Sequence, residues 1–256
     1  MINIENTKVN CWEAAIRGMR NPMNSWEKSD SWFEIIRDEE VEDGLYRNIN
    51  DVRVPFKASE MPYLYINGFE IGPNDHKLMM QLAKAGTEHS KYRRFIIVTA
   101  DITAPLYWWK EYDTYKISTV ANSCSTMHKI HAKKFTYADF SWEHLCDDRT
   151  ICAHLVNGGD ICPDSDSNWR WFLGKTIDML NAARSRYLET KDKRYWWQMI
   201  QLLPTSYNQR RTVLLNYENL AAIYRQRKDH KLDEWHAFCD WIESLPYSEI
   251  ITLKED

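Results

Sequence analysis

Residues 104–128 read APLYWWKEYDTYKISTVANSCSTMH, the densest mixture of aromatic, charged and hydroxyl side chains in the chain. The first half reads as an amphipathic helix. Ala104, Pro105 and Leu106 open it, and proline suits a first helical turn because its missing N–H would have no partner there. Tyr107, Trp108, Trp109, Lys110, Glu111 and Tyr112 follow without a breaker. The second half, Ser118 to Thr126, is rich in Ser, Thr, Asn and Cys, which bond their own backbone and favour loops over helix interiors. An aromatic helix running into a hydroxyl-rich loop suits a pocket that stacks flat rings and binds polar edges. It suits a buried helix followed by a solvated loop as well.

Upstream of this stretch, residues 93–102 (RRFIIVTADI) read as a strand. Phe95, Ile96, Ile97 and Val98 form a continuous apolar run with β-branched members, as for a strand buried on both faces. Before it, Leu78, Met79, Leu82 and Ala85 recur at helical spacing over His76–Ala85, with Asn74 or Asp75 as cap and Gly86 as stop. Residues 61–75 (MPYLYINGFEIGPND) hold two apolar runs split by Asn67-Gly68, a hairpin signal. The acidic run DEEVEDG (38–44) reads as a solvated face or loop. The chain begins with alternation at Ile2 and Ile4, then polar residues, as for a strand leading into a helix near Trp12–Met19.

Downstream, Asp166, Ser167 or Asn168 can cap a helix from Trp169 to about Leu188, with Trp171, Phe172, Ile177, Leu180 and Ala183 as its buried stripe. A helix over Tyr195–Leu203 ends at Pro204. The polar stretch TSYNQRR and the segment TVLLNYENLAAIYRQR follow, helical from Asn216. A last helix, Leu232–Leu245, carries Leu232, Trp235, Phe238, Cys239 and Ile242 on one side and closes at Pro246. No internal repeat and no long linker interrupts this order, so one domain over residues 1–256 is the economical reading. The fold class is α/β (α+β), a single compact domain with a small central sheet flanked by helices.

Bulk composition narrows the function. The chain has 256 residues, enough to bury a substantial core, and a formal net charge of −4. That balance, with a pI near 6.1, weighs against nucleic acid as a partner. The basic runs HKIHAKK and NQRR and the 12 Trp and 14 Tyr, which could stack bases, are the contrary signal. No apolar run approaches the ~20 residues that cross a bilayer. The N-terminus lacks the pattern of a secretory signal, so a cytoplasmic location with reduced thiols is expected. His144, Cys146, Cys152, His154 and Cys162 place soft ligands near one another, but their spacing matches none of the common zinc signatures, and no metal is expected.

At residues 86–128 and 204–227 the sequence resembles the flavin-dependent thymidylate synthases. That family has a strand, an Ala-Pro-Ile helix, an Arg-His-Arg triplet and a Ser-x-Asn-Glu-x-Ser-x-Arg-Tyr loop. Ala104-Pro105-Leu106 lies on Ala-Pro-Ile. The family's Arg-Gln falls on Lys110-Glu111, and its triplet on Thr114-Tyr115-Lys116. With one extra residue the loop falls on Thr119, Asn122, Ser123 and Ser125, ending at Met127-His128. Gly86-Thr87-Glu88-His89-Ser90 echoes an upstream Gly-His-Glu-Ser turn. Downstream, Leu203-Pro204, Asn216 and Arg227 match in identity and spacing. The likeness covers about half the chain, and its departures concentrate in the triplet, where Lys is a point charge without the planar fork of Arg.

The resemblance implies an enzyme on a pyrimidine deoxynucleotide, working as a homotetramer with sites where subunits meet. The parent reaction is reductive methylation of dUMP, with FAD as carrier and methylenetetrahydrofolate and NADPH as co-substrates. In that frame Arg227 faces the nucleotide, gripping a phosphate or a pyrimidine carbonyl. Lys110, Glu111, Asn122 and Ser123 belong to the substrate side. Tyr115, Lys116, Asn216 and His89 belong to the cofactor side, though Asn216 can equally cap the helix it begins. Ser125, Arg227 and Cys124 are catalytic candidates. A thiol at 124 could add to C6 of a pyrimidine if His128 or Lys116 activated it. A pyrimidine nucleotide hydroxymethylase, or an inactive homologue that binds nucleotide, fits the same altered site.

Overall fold

The computed structural model describes residues 2–36, 46–49, 52–55, 65–146 and 168–253. It divides into two compact units, Met1–Asn10 with Ile97–Ser248, and Cys11–Ile96 with Glu249–Asp256.

The first unit is built on a four-stranded antiparallel sheet. Its strands are β1 (Asn3–Asn10), β6 (Ile97–Pro105), β7 (Val120–Ser123) and β8 (Asn208–Asn216), in the order β1-β6-β8-β7. β6 and β8 pair along their whole length, Ile97 opposite Asn216 through Pro105 opposite Asn208. In β6 the buried residues alternate: Val98, Ala100, Ile102 and Ala104 point into the core. The apolar run is therefore a half-covered strand, not one buried on both faces. Arg93 and Arg94 do not belong to it. They lie in a 3-10 turn over Ser90–Arg94, and Phe95 is half exposed, so the strand begins at Ile97.

Two strands replace expected loops. β7 runs through the hydroxyl-rich segment, with all four residues exposed. An edge strand with a solvated face tolerates Asn and Ser, because its backbone bonds come from β8 and its side chains bury nothing. β8 takes in Asn208–Arg211 as well as Thr212–Leu215. Its exposed face is polar for a reason: Arg210 and Thr212 both donate to Asp101 on β6, at 2.8 and 2.5 Å.

Helix α3 (Leu106–Tyr112) follows β6 without a linker. Pro105 stands at its N-cap rather than inside its first turn, and it and Ala104 end β6 as buried residues. No side chain caps α3. The amides of Leu106 and Tyr107 instead donate to the carbonyls of Tyr207 and Thr205, each at 3.0 Å, which satisfies donors a helix start leaves open. Helices α6 (Tyr217–Arg227) and α7 (Asp233–Glu243) supply the other apolar faces, with Tyr217, Leu220, Ile223, Trp235, Phe238 and Ile242 buried. Trp108 and Trp109 are fully buried in this layer. Trp108 lies 4.8 Å from Trp235 and 5.5 Å from Phe238 between ring centres. Helices α4 (Trp169–Thr190) and α5 (Lys193–Leu202) enclose a second apolar cluster of Leu173, Ile177, Leu180 and Met199 with Ile130, Phe135 and Phe140. Asn168 caps α4 through Trp171 N at 2.8 Å. Trp171 and Phe172 face outward, because the buried stripe falls on Leu173 and its i+4, i+7 and i+10 neighbours.

The second unit holds α1 (Trp12–Arg20), α2 (Pro73–Lys84), the short C-terminal α8 (Glu249–Thr252), and strands β2 (Trp32–Ile36), β3 (Tyr46–Ile49), β4 (Val52–Pro55) and β5 (Tyr65–Glu70). β2 pairs β5, and β3 pairs β4. Asn67-Gly68 makes no hairpin. β5 runs straight through it, with Gly68 opposite Glu34 where the register shifts, a place where a strand glycine marks a bulge. α2 begins at Pro73, with Gly72 as its N-cap. The cap acceptor comes from elsewhere: Asp30 takes the amides of Asn74 and Asp75 at 2.9 and 3.0 Å. Asp75 is itself wholly buried and accepts from Arg20, Ser29 and Ser31 side chains, each at 2.6 Å. Burial pushes its carboxyl up, but the bonds from Ser29, Ser31 and Arg20 outweigh it and hold the group below the ordinary carboxylate value. The run 38–44, the cysteines Cys152 and Cys162, and His154 lie outside the described residues. Among the described residues no three His, Cys, Asp or Glu side chains gather as a metal site would need.

Candidate functional site

The last turn of α3, the last turn of α6 and the first turn of α7 meet around one carboxylate. Glu111 sits near the end of α3, and its Oε2 accepts from Arg227 Nη1 at 2.8 Å and from Trp235 Nε1 at 3.0 Å. His230 Nε2 lies 3.4 Å from the same oxygen. His230 Nδ1 accepts from the amide of Leu232 at 3.1 Å, so the ring proton belongs on Nε2, toward Glu111. Arg227 is anchored twice more. Its Nε donates to the Tyr115 hydroxyl at 2.8 Å, and its guanidinium lies 4.7 Å over the Trp235 ring. Tyr115 in turn donates to Gln226 Oε1 at 3.0 Å. The loop that carries Tyr115 is fixed by Thr119 and Asn219, whose side chains donate to the carbonyls of Tyr115 and Ile117.

Chemically, this is a neutralised ion pair with an open side. Arg227 keeps its Nη2 donors, and Glu111 keeps Oε1. The two carry a donor and an acceptor next to each other, held by an aromatic floor. A guanidinium so paired is better placed to read a neutral polar edge than to attract a dianion, because the Glu111 charge opposes a phosphate at close range.

Three residues expected at the site, Glu111, Tyr115 and Arg227, are thus brought into direct contact across as many as 116 positions of sequence. Lys110 and Lys116 are exposed on the same helix and the loop after it, and among the described residues neither is engaged in an ion pair or hydrogen bond. Asn122 and Ser123 lie on the exposed edge strand β7, opposite Thr212 and Arg211. Cys124 is exposed too. Its amide donates to the carbonyl of Arg210, and its carbonyl accepts from Gln209. Ser125 Oγ accepts the amide of His128 at 2.9 Å, closing a turn.

Asn216 is buried and serves as the N-cap of α6. It accepts from Asn219 N at 2.9 Å, and Asn219 returns a bond to its amide. Of the two readings of Asn216, its geometry takes the cap. His89 is exposed and lies in the second unit, apart in the chain from the cluster in the first. Sequence reasoning missed Trp235 and His230 as site residues. Trp235 reads as a core position of an amphipathic helix, and its ring is indeed buried. Only the direction of its N–H reveals the second role.

No family model and no curated protein matches the sequence. Solved structures do match in shape. Thymidylate Synthase X (ThyX) from Helicobacter pylori, solved with FAD and dUMP, superposes with a TM-score of 0.59 at 14% identity, covering 98% of each chain. The UMP/dUMP methylase PolB from Streptomyces cacaoi, bound with 5-Br UMP, superposes with a TM-score of 0.53 at 12% identity, covering 99% of this chain and 95% of that one. The same enzyme bound with 5-Br dUMP gives 0.51. At these identities the likeness speaks for the fold: this chain has the mixed α/β fold of the flavin-dependent thymidylate synthases.

Proposed function

We propose that the chain is a pyrimidine-nucleotide enzyme of the flavin-dependent thymidylate synthase type, acting as one domain per subunit. The observation that carries this reading is the contact of Glu111, Tyr115 and Arg227. The positions that the resemblance assigns to ligand binding converge in space, in a fold whose solved examples bind dUMP or UMP analogues. Arg227 and Glu111 would take the polar edge of the pyrimidine. Lys110 and Lys116, both unpaired, would take phosphate.

The residues present fit a phosphate-bearing cofactor as well. Lys116, with Asn122 and Ser123 on the exposed edge strand β7, would hold FAD, whereas Asn216 and Tyr115 are already engaged within the chain. Flavin, when bound, supplies hydride transfer, with NADPH as reductant and methylenetetrahydrofolate as carbon donor in the parent reaction. The chain's own contribution is to orient the ring through Arg227 and Glu111 and to neutralise phosphate through the two lysines. Cys124, exposed beside this edge, is the available nucleophile.

The test is release of tritium from the 5-position of labelled dUMP with folate and NADPH present, beside a visible spectrum of the purified protein. Release with flavin absorption supports the reading. A colourless protein that takes up no FAD and releases nothing from dUMP or dCMP sinks it. The engagement of Tyr115 and Asn216 favours one second reading, a nucleotide-binding homologue without turnover, which binds dUMP and releases no tritium. Release from dCMP alone would mark the hydroxymethylase alternative.

A further inference from the structure

Trp235 touches both members of the central ion pair. Its side chain is fully buried, its indole N–H donates to Glu111 Oε2, and its ring face lies under the Arg227 guanidinium. A buried indole N–H usually finds an acceptor. Trp109, one turn-face away on α3, does so through the carbonyl of Gln209 at 2.9 Å. Trp235 takes a carboxylate that is also the partner of the one arginine expected at the ligand. His230, three residues beyond Arg227, turns its protonated nitrogen to the same oxygen.

We propose that Trp235 and His230 are positioning residues: acting through Glu111, they hold the Arg227 guanidinium in the orientation that receives a pyrimidine nucleotide. The inference rests on the nucleotide reading above. Physically, one carboxylate oxygen facing three donors has little freedom to rotate, and a charge-assisted bond to a rigid ring is stronger than one to water. With Glu111 pinned, Arg227 is fixed by Nη1, Nε and its ring contact at once. The remaining Nη2 edge is then oriented before ligand arrives, and no side-chain entropy is lost on binding. Without the indole N–H, Glu111 can swing toward solvent and carry Arg227 with it.

The experiment is titration calorimetry with dUMP, and separately UMP and dCMP, on the full-length protein and on Trp235→Phe, His230→Gln, Glu111→Ala and the double variant Trp235→Phe/Glu111→Ala. Phenylalanine keeps the ring and its packing but removes the donor. Glutamine keeps a donor near the position of Nε2. We expect Trp235→Phe to weaken nucleotide affinity about tenfold, with cooperative melting preserved. In the Glu111→Ala background the same change has no further effect, and His230→Gln, whose donor replaces the longer 3.4 Å contact, weakens affinity by less than Trp235→Phe does. An equal loss in both backgrounds, or none in either, overturns the proposal, since Trp235 would then act only by packing or not at all. A second readout needs no ligand. The indole N–H resonance of Trp235 exchanges slowly with solvent in the wild type and shifts in Glu111→Ala. If it shifts but no pyrimidine nucleotide binds the wild type, the contact stands and the nucleotide reading, with the role built on it, falls. If it neither shifts nor shows protection, the positioning contact itself is refuted.

Discussion

At the scale of single residues, the chain uses its polar atoms in two distinct ways. Asn216 is a cap. Its amide and that of Asn219 exchange bonds across the first turn of α6, so Asn216→Ala should cost about 0.5–2 kcal/mol of stability. Urea unfolding measures this, and a variant that unfolds as the wild type does yet loses flavin would show the cap assignment to be wrong. Arg227 is held in place with donors left over. Arg227→Ala should lower nucleotide affinity at least tenfold, about 1.4 kcal/mol. Unchanged dUMP affinity in a folded variant would remove Arg227 from the site. Trp108 and Tyr112 stand between these cases. Both are buried, their rings stack at 5.2 Å, and the indole N–H and phenol O–H have no hydrogen-bond partner among the described residues. Burial pushes the Tyr112 hydroxyl up, so it stays neutral and serves as packing rather than as a base.

At the scale of elements, the starts of α2 and α3 are closed by groups distant in sequence. α2 is the example on which two tests rest. Gly72 lies against Asp30, and any Cβ at position 72 would overlap the Asp30 side chain and carbonyl. Gly72→Ala must push Asp30 off the helix amides, and thermal unfolding should register a loss of about 1–3 kcal/mol. Asp75 anchors the same corner through Arg20, Ser29 and Ser31. Removing its charge leaves Arg20 buried without a counter-ion, so Asp75→Asn should cost about 3–5 kcal/mol at neutral pH. The sign of the pH dependence follows from the lowered carboxyl. The folded value lies below the unfolded one of about 3.9. The stabilisation is therefore present above that pH and fades as pH falls through the folded value. Chemical denaturation at pH 7 and near pH 3 should show the wild-type advantage over Asp75→Asn shrinking in acid. An advantage that grew in acid would contradict the geometry.

At the scale of the whole molecule, none of the described helices is long and apolar enough to cross a membrane. Ile117, Val120 and Met127 are exposed apolar residues, and the resemblance implies a homotetramer with sites where subunits meet. Sedimentation equilibrium should then give a tetramer, and a monomer at micromolar concentration would refute that assembly. Much of this architecture was legible in the sequence. The helices over 12–20, 169–190, 217–227 and 233–243 follow from apolar spacing and from Asn168 and Asn216, because helix period and local caps are properties of adjacent residues. Strands were harder. β7 and half of β8 are polar because only one face of the sheet is covered, and Asn67-Gly68 runs extended because β2 offers it a partner that neighbours in sequence do not reveal. The site divides in the same manner. Glu111, Tyr115 and Arg227 are candidates in the sequence through its resemblance to the flavin-dependent thymidylate synthases, whose motif positions fall on them. Only the tertiary structure decided that Arg227 is already paired with Glu111, that Asn216 is a cap, and that Trp235 and His230 join the cluster. Those facts depend on the directions of N–H and O–H groups from three helices, and direction is fixed by packing.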